Sequence, residues 1–319
     1  VIFSSGELAM FGRRSAWSTG SLLCLAVVVG AVRAEEGQDR PKADPHRQFV
    51  RLTRDKERPV ALETAIVRHV PQDRGRTTPT VDLVSAVHVA EKSYYDQLNR
   101  LFEKYDVVLY ELVAPEGTRI PKGGPVGSQS SVSMVQTGMT GLLGLEFQLR
   151  AIDYTRQNFV HADMSPEQFA ASMDQRGESM FQTFARMFGY ALARQQADSG
   201  ATDAGVLAAL LSKDRTLALK RLMAEQFQDM DGSLTAINGP KGSTLITERN
   251  KVVIKVLGKQ IAAGKKKIAI FYGAGHMPDI QERLAADLNL VPLSTQWVVA
   301  WDLEGKPLKG RAKPEKGAK

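Results

Sequence analysis

The sequence predicts an α/β protein with a mostly parallel central sheet flanked by helices and an added helical insert or cap, in the manner of an α+β variant. Three stretches carry that prediction. In the first, a β-run over Thr80–Val87 is followed by a helix over Glu91–Lys104, with Tyr94, Tyr95, Leu98, Leu101 and Phe102 at helical spacing, and by a second β-run over Asp106–Val113. Strand, helix and strand in so short a span read as a βαβ unit, which implies a right-handed crossover and parallel strands. In the second, a helix over Thr244–Ala263 leads into a strand over Lys267–Tyr272 and a helix over Pro278–Asp287. The third is a pair of matching strand ends, Thr80–His88 and Ile268–His276, each an apolar run closed by a small residue, two spacer residues and a histidine. Open α/β sheets bind ligands beyond the carboxyl ends of their strands, so each pattern sets an imidazole where ligands bind. The chain has only five histidines, which makes two in matching settings informative.

From Met10 the chain reads as an export leader: basic Arg13 and Arg14, an apolar run from Leu22 to Val29, and Val32-Arg33-Ala34 in the small-x-small form a signal peptidase accepts. The stretch before Met10 reads as an upstream extension. The apolar run falls well short of the ~20 residues that span a bilayer, so cleavage after Ala34 and a periplasmic or extracellular protein with no stable membrane span are expected. Cys24, the only cysteine, lies in this leader and lacks a small residue before it, which argues against a lipoprotein. A mature chain without thiols excludes disulfides, thiolate metal sites and a cysteine nucleophile. The formal net charge is +7, and much of the excess sits in the tail 306–319, where Lys306, Lys309, Arg311, Lys313, Lys316 and Lys319 face only Glu304 and Glu315. No aromatic residue interleaves these charges, so the tail reads as a solvated end and nucleic acid is not an expected partner.

Between leader and tail, residues 35–47 read as a polar linker and 48–305 as a single domain. A strand pair is expected near Phe49–Leu52 and Ala61–Val70, with a turn over Pro71–Pro79. After the βαβ unit come a Gly/Pro loop over Gly117–Gly127, a helix near Leu142–Arg156 and a short strand over Asn158–His161. Ser165-Pro166-Glu167-Gln168 is a helix start, with Ser at the N-cap, Pro at the first helical position and Gln placed for a capping box. From there to about Asp231 the chain is helical in character and includes an apolar stripe over Met180–Phe188; the segment of about 165–240 is read as an insert that covers the strand ends and sets specificity. A strand over Gln296–Leu303 closes the domain. Neither GxxxxGK[ST] nor GxGxxG occurs where it would cradle a phosphate.

Glu111 stands in Val107-Val-Leu-Tyr-Glu111-Leu-Val113, where alternation sets Val107, Leu109, Glu111 and Val113 on one face. A carboxylate in an apolar strand needs a partner, because burying it alone costs several kcal/mol. Its natural partners are a metal, an arginine or a histidine. Arg249 falls within the apolar stripe Leu245, Val252, Val253 and Val256 and must meet an anion there, namely Glu111, Asp163 or a substrate oxygen. Asp163 follows a strand and precedes a helix, a place for a functional carboxylate or a cap. Glu248, next to Arg249, faces either the same cleft or solvent. His161 reads as a rim histidine or a ligand, and His46 and His69 as surface residues. Two imidazoles with one or two carboxylates suit Zn²⁺, Mn²⁺ or Co²⁺ with an open position for water. The same residues without metal suit a histidine base with Arg249 as oxyanion stabiliser.

Taken in order, these motifs resemble the TraB/GumN/TIKI superfamily, whose members carry two Gly-x-x-His motifs, a strand-borne Glu after the first, an Asp-Arg motif, and Glu-Arg-Asn/Asp on a late helix. The matching residues are Ser85-Ala-Val-His88, Tyr110-Glu111-Leu, His161-Ala-Asp163-Met164, Glu248-Arg249-Asn250 and Gly273-Ala-Gly-His276, over roughly residues 60–295. Ser85 stands where the first motif has Gly, and Met164 where the middle motif has Arg. The resemblance implies an erythromycin-esterase-like or ChaN-like core and, by analogy with TIKI proteins, a divalent-metal-dependent peptidase acting on peptides or secreted proteins. Within that reading His88, Glu111 and His276 hold the ion, Arg249 stabilises the oxyanion, Glu248 serves as acid/base or ligand support, and Asp163, His161 and Asn250 are additional candidates. Other members inhibit peptide-pheromone signalling, so a non-catalytic protein that sequesters a peptide or signal is the alternative, and a metal-free esterase-like hydrolase a further one.

Overall fold

The strands form where β-branched and aromatic residues run together, and the helices where apolar residues recur at every third or fourth position. In chain order the strands are β1 (Val50–Asp55), β2 (Arg58–Pro71), β3 (Thr80–Ala86), β4 (Val89–Ala90), β5 (Val107–Tyr110), β6 (Glu146–Phe147), β7 (Phe159–His161), β8 (Lys267–Gly273) and β9 (Leu290–Asp302). The helices are α1 (Lys92–Phe102), α2 (Gln148–Ala151), α3 (Pro166–Arg176), α4 (Arg215–Gln226), α5 (Arg249–Ala262) and α6 (Met277–Leu288). This computed structural model describes residues 46, 48–73, 75, 78–124, 143–179, 181–182, 207–227, 238–239 and 241–305. The leader, most of the 35–47 linker, most of the Met180–Phe188 stripe and the basic tail lie outside the described residues.

The architecture is α/β, a mixed and mostly parallel seven-stranded sheet with helices on both faces. β2 is long enough to be shared: β1 pairs with its first part and β3 with its second, while β9 runs along the opposite edge. Beyond β3 the order is β8, β5, β7, all parallel. The pairings make β2 the one strand of this sheet that runs against the others. The βαβ reading is right about direction and needs one correction in adjacency, because β8 lies between β3 and β5. Buried from Ile268 to Gly273, β8 is apolar on both faces and takes the interior place where neighbours cover both edges.

Alternation sorts the strand residues onto two cores. Val84, Ala86, Val108, Tyr110, Ala269 and Phe271 pack with Tyr94, Tyr95, Leu98 and Phe102 of α1. On the other face Val81, Leu83, Val107, Leu109, Ile268, Ile270 and Tyr272 pack with Val253, Ile254 and Leu257 of α5 and Met277, Ile280 and Leu284 of α6. Each fully buried side chain of this size contributes about 1.5–3 kcal/mol. Glu111 follows the Val107 and Leu109 alternation and therefore meets α5.

Several expected elements change in detail. The helix expected near Leu142–Arg156 shrinks to the single turn α2, because Asn99 of α1 replaces its continuation: Asn99 Nδ2 donates to Ala151 O at 2.8 Å, and the Asp153 N–H donates to Asn99 Oδ1 at 3.0 Å. The helix expected over Thr244–Ala263 opens instead with a π turn over Thr244–Glu248, in which the Glu248 N–H reaches back to Ser243 O at 3.1 Å. The buried stripe of α5 is accordingly Arg249, Asn250, Val253, Ile254 and Leu257, which brings in Asn250 and leaves Val252 and Val256 at its margin. The last strand begins at Leu290, earlier than Gln296, since its first residues also pair with β2. His69, expected at the surface, is fully buried between β3 and β9, its Nδ1 bonded to Val67 O at 3.0 Å. The capping box at Ser165 forms as the sequence predicts: the Gln168 N–H donates to Ser165 Oγ at 3.2 Å and the Ser165 N–H to Gln168 Oε1 at 3.0 Å.

Candidate functional site

Four adjacent parallel strands end at one place, and each is followed by a candidate residue. His88 lies just past β3, His276 just past β8, Glu111 directly after β5 and Asp163 two residues after β7. In the order β3, β8, β5, β7 the sheet thus presents His88, His276, Glu111 and Asp163 side by side along its carboxyl edge.

The backbone leading to His88 is pinned from several sides. Tyr94 Oη donates to Ser85 O at 3.1 Å and Tyr95 Oη to Val87 O at 3.0 Å, so two buried tyrosines of α1 hold the turn. Ser85 uses its hydroxyl to bond Phe49 O at 3.0 Å, which makes the Ser at the Gly position of the motif a tie to the amino end of the domain. The Gln148 N–H donates to His88 O at 2.9 Å, and Gln148 Oε1 stands 3.2 Å from His88 Nδ1. The His88 ring itself is exposed.

Glu111 is anchored at both oxygens. Oε1 accepts from Arg249 Nη2 at 2.7 Å, and Oε2 accepts from the Gly273 N–H at 2.7 Å. A β-carbon at Gly273 would lie 3.2 Å from Glu111 Oε2 and 3.8 Å from both His88 Nε2 and His276 Cδ2, so one glycine marks the point around which the three residues gather. Arg249 also forms a bidentate pair with Asp163, Nε to Oδ1 at 2.9 Å and Nη2 to Oδ2 at 2.6 Å. Its remaining Nη1 faces Leu245 O at 3.3 Å and His276 Nε2 at 3.4 Å. Both carboxylates that the sequence offered as partners for Arg249 are therefore used at once.

His276 Nε2 is 3.4 Å from Glu111 Oε1, and Nδ1 is 2.7 Å from Asn250 Oδ1. Asn250 Nδ2 faces two acceptors, Asp279 Oδ2 at 2.8 Å and His276 O at 3.1 Å. That fixes the amide with its oxygen toward the ring, so neutral His276 carries its proton on Nδ1 and a lone pair on Nε2. The edge of the Tyr272 ring packs against it, centroids 5.3 Å apart, while Tyr272 Oη donates to Ala162 O at 2.5 Å.

Burial alone would raise the Glu111 carboxyl, but positive charge around it, on His276 and His88 when their rings are protonated and on Arg249 throughout, holds it well below the usual carboxylate range. Burial works against charge on Arg249 also, and its hydrogen bond to Asp163 and the two carboxylate charges outweigh this and raise it. The centre is thus an ionised Glu111 that shares one guanidinium with Asp163, flanked by two imidazoles.

Glu248 is not brought here. Its Oε1 accepts from Arg176 Nη1 at 3.0 Å and from Lys251 Nζ at 2.9 Å, because the π turn sets it on the side of α5 that faces α3. His161 also lies apart, with Nε2 2.5 Å from Leu112 O. Arg249 has three of its five N–H groups on carboxylates, which leaves the expected oxyanion role only the Nη1 pair and makes the guanidinium an anchor for Glu111. The sequence reading passed over Gln148, Tyr154, Asp279 and Tyr272; only the location of Asp279, three residues past His276, held any signal. A second ion pair, exposed Arg68 with buried Asp82 and Tyr105, lies at the opposite end of β3, with Arg68 Nε to Asp82 Oδ1 at 2.9 Å and Tyr105 Oη to Asp82 Oδ2 at 2.6 Å.

Two neutral imidazoles and one carboxylate are ligands that suit Mn²⁺, Co²⁺ or Zn²⁺, and each Glu111 oxygen keeps a second lone pair. The donor chemistry fits such an ion. As placed, no group of three or more His, Cys, Asp and Glu side chains among the described residues could hold a metal ion together, so His88, His276 and Glu111 would have to draw closer to share one.

Fold and site together define an α/β protein with a histidine–carboxylate centre at the carboxyl edge of its parallel strands. Comparison with family models, curated proteins and solved structures finds no match to this chain. Among the described residues no helix is long and apolar enough to cross a membrane.

Proposed function

We propose that this chain is an exported metal-dependent hydrolase of peptidase type, acting on peptides or secreted proteins. The observation that carries the reading is the gathering of His88, His276 and Glu111 around Gly273, at the edge of the sheet where α/β proteins place their ligands. The resemblance of the ordered motifs to the TraB/GumN/TIKI superfamily supplies the peptidase class, an argument by analogy. His88 and His276 would hold the ion through Nε2 and Glu111 through a carboxylate oxygen. Bound there, a divalent ion polarises a carbonyl and lowers the pKa of its water toward ~7. The chain's own residues do the rest. Glu111 stays ionised because Arg249 and the Gly273 N–H hold it, Asn250 and Asp279 keep the Nε2 lone pair of His276 free of a proton, and exposed His88 leaves the centre open to a substrate.

One observation favours a second reading, a protein that sequesters a peptide without cleaving it: Arg249 is engaged by two carboxylates and offers little to a developing oxyanion. The same observation weighs against a metal-free esterase with Arg249 as its oxyanion donor. The deciding experiment is elemental analysis of the purified chain and of a His88→Ala/His276→Ala variant after loading with Mn²⁺, Co²⁺ or Zn²⁺, followed by a peptide-cleavage screen. Metal held by the parent and lost in the variant, with cleavage that follows the metal, is the expected result. Metal without cleavage supports sequestration, and no metal in either protein sinks the metallohydrolase.

A further inference from the structure

We propose that Gln148, itself held by Tyr154, is a positioning residue that keeps the proton of neutral His88 on Nδ1 and leaves Nε2 bare toward Glu111. An imidazole free in water favours the proton on Nε2, and the exposed His88 ring makes few contacts that would oppose this. Gln148 is the exception. Its amide is buried, and Nε2 donates to Tyr154 Oη at 2.9 Å. The Tyr154 ring is wedged against Tyr110 and Phe159, with centroids 5.1 Å and 5.6 Å away, so its hydroxyl is fixed in place. The amide stands with Nε2 on Tyr154 and Oε1 turned to His88 Nδ1 at 3.2 Å, and in this orientation the group that meets the ring can only accept.

The local fold makes this grip possible. Pairing of Val89 with Phe147 in the β4–β6 ribbon brings the next residue, Gln148, beside His88, and its backbone N–H bonds His88 O as well. Asn250 holds His276 in the same tautomer from a different element. Two unrelated amides thus prepare two imidazoles alike, as outer partners of ligating histidines do. The purpose of the lone pair rests on the proposed function; the tautomer does not, and it is read in the metal-free chain.

The test is long-range ¹H–¹⁵N correlation of the histidine rings in the full chain without metal, at a pH where imidazole is neutral, with His88→Ala for assignment. The parent should show His88 protonated on Nδ1, Gln148→Leu should shift it to a mixture dominated by the Nε2–H form, and Gln148→Glu, an acceptor in the same place, should restore Nδ1–H. Mn²⁺ affinity should fall about 10- to 100-fold in Gln148→Leu and far less in Gln148→Glu. Nε2–H in the parent, or an unchanged Nδ1–H in Gln148→Leu, overturns the proposal. Should Gln148→Leu not fold, Tyr154→Phe removes only a hydroxyl and frees the amide to turn; pure Nδ1–H in that variant overturns it equally. Absence of metal binding with the predicted tautomers would count against the hydrolase alone.

Discussion

The Gly273 N–H donates to Glu111 Oε2 at 2.7 Å, and a β-carbon on Gly273 would stand 3.2 Å from that same oxygen. Gly273 has φ −53°, a value open to any residue, so what the position demands is space and not conformational freedom. The second Gly-x-x-His motif therefore begins with glycine because the carboxylate of the neighbouring strand end needs the room.

Gly273→Ala should push Glu111 a few tenths of an ångström off its anchor. Overpacking of this kind costs about 1–3 kcal/mol, to be read from the midpoint of urea unfolding, and metal uptake should fall in a protein that still folds. Full stability with full uptake would show that Glu111 has more freedom than its two anchors suggest.

Arg249→Met should be the most damaging single change at the centre. It leaves Glu111 and Asp163 buried without their common counter-charge, and breaking a buried ion pair in this way costs about 3–5 kcal/mol. Arg249→Lys should rescue little, because an ammonium cannot repeat the forked bonds to Asp163 while also reaching Glu111. Thermal unfolding of the two variants beside the parent measures both effects.

Glu248→Gln should be mild. Its partners Arg176 and Lys251 lie at the surface side of α5, and such pairs contribute less than about 1 kcal/mol. Metal binding and any hydrolysis should be unchanged, measured by titration with Mn²⁺ and by the peptide screen. A large loss of activity with intact stability would return Glu248 to the site.

Stability should weaken as pH falls below His69's ordinary value of 6.5. Burial lowers the folded pKa of this ring, so the unfolded chain takes up a proton at 6.5 while the folded one resists until a lower pH. The contribution of neutral His69 is whole above 6.5 and shrinks as pH drops toward the folded value. His69→Gln should flatten that slope in urea unfolding measured across this range, whatever its effect on absolute stability; an identical slope in parent and variant would place the pH response elsewhere.

Much of the fold was legible because periodicity reports burial. Val107 and Leu109 alternate onto the α5 face and carry Glu111 with them; Tyr94, Tyr95, Leu98 and Phe102 repeat at helical spacing and pack as α1. What periodicity omits is who stands beside whom. Nothing local says that β8 enters between β3 and β5, yet that insertion is what sets His276 between His88 and Glu111. The π turn before Arg249 was likewise hidden, since it depends on the backbone bond from Glu248 to Ser243, and it redirects Glu248 to Arg176 while leaving Arg249 and Asn250 inward. His69 was misplaced because a polar residue in a strand reads as outward-facing until both neighbouring strands are known.

The sequence by itself determined the α/β class, the parallel strand ends and the candidacy of His88, Glu111, Asp163, Arg249 and His276, because each of these follows from short-range pattern and the cost of burying charge. The tertiary structure alone decided the partners: that Arg249 joins Glu111 to Asp163, that Gly273 yields space to Glu111, and that Gln148 and Asn250 orient the two imidazoles. Those are contacts between residues tens to hundreds of positions apart, and only packing and the need of every buried polar group for a partner select among them.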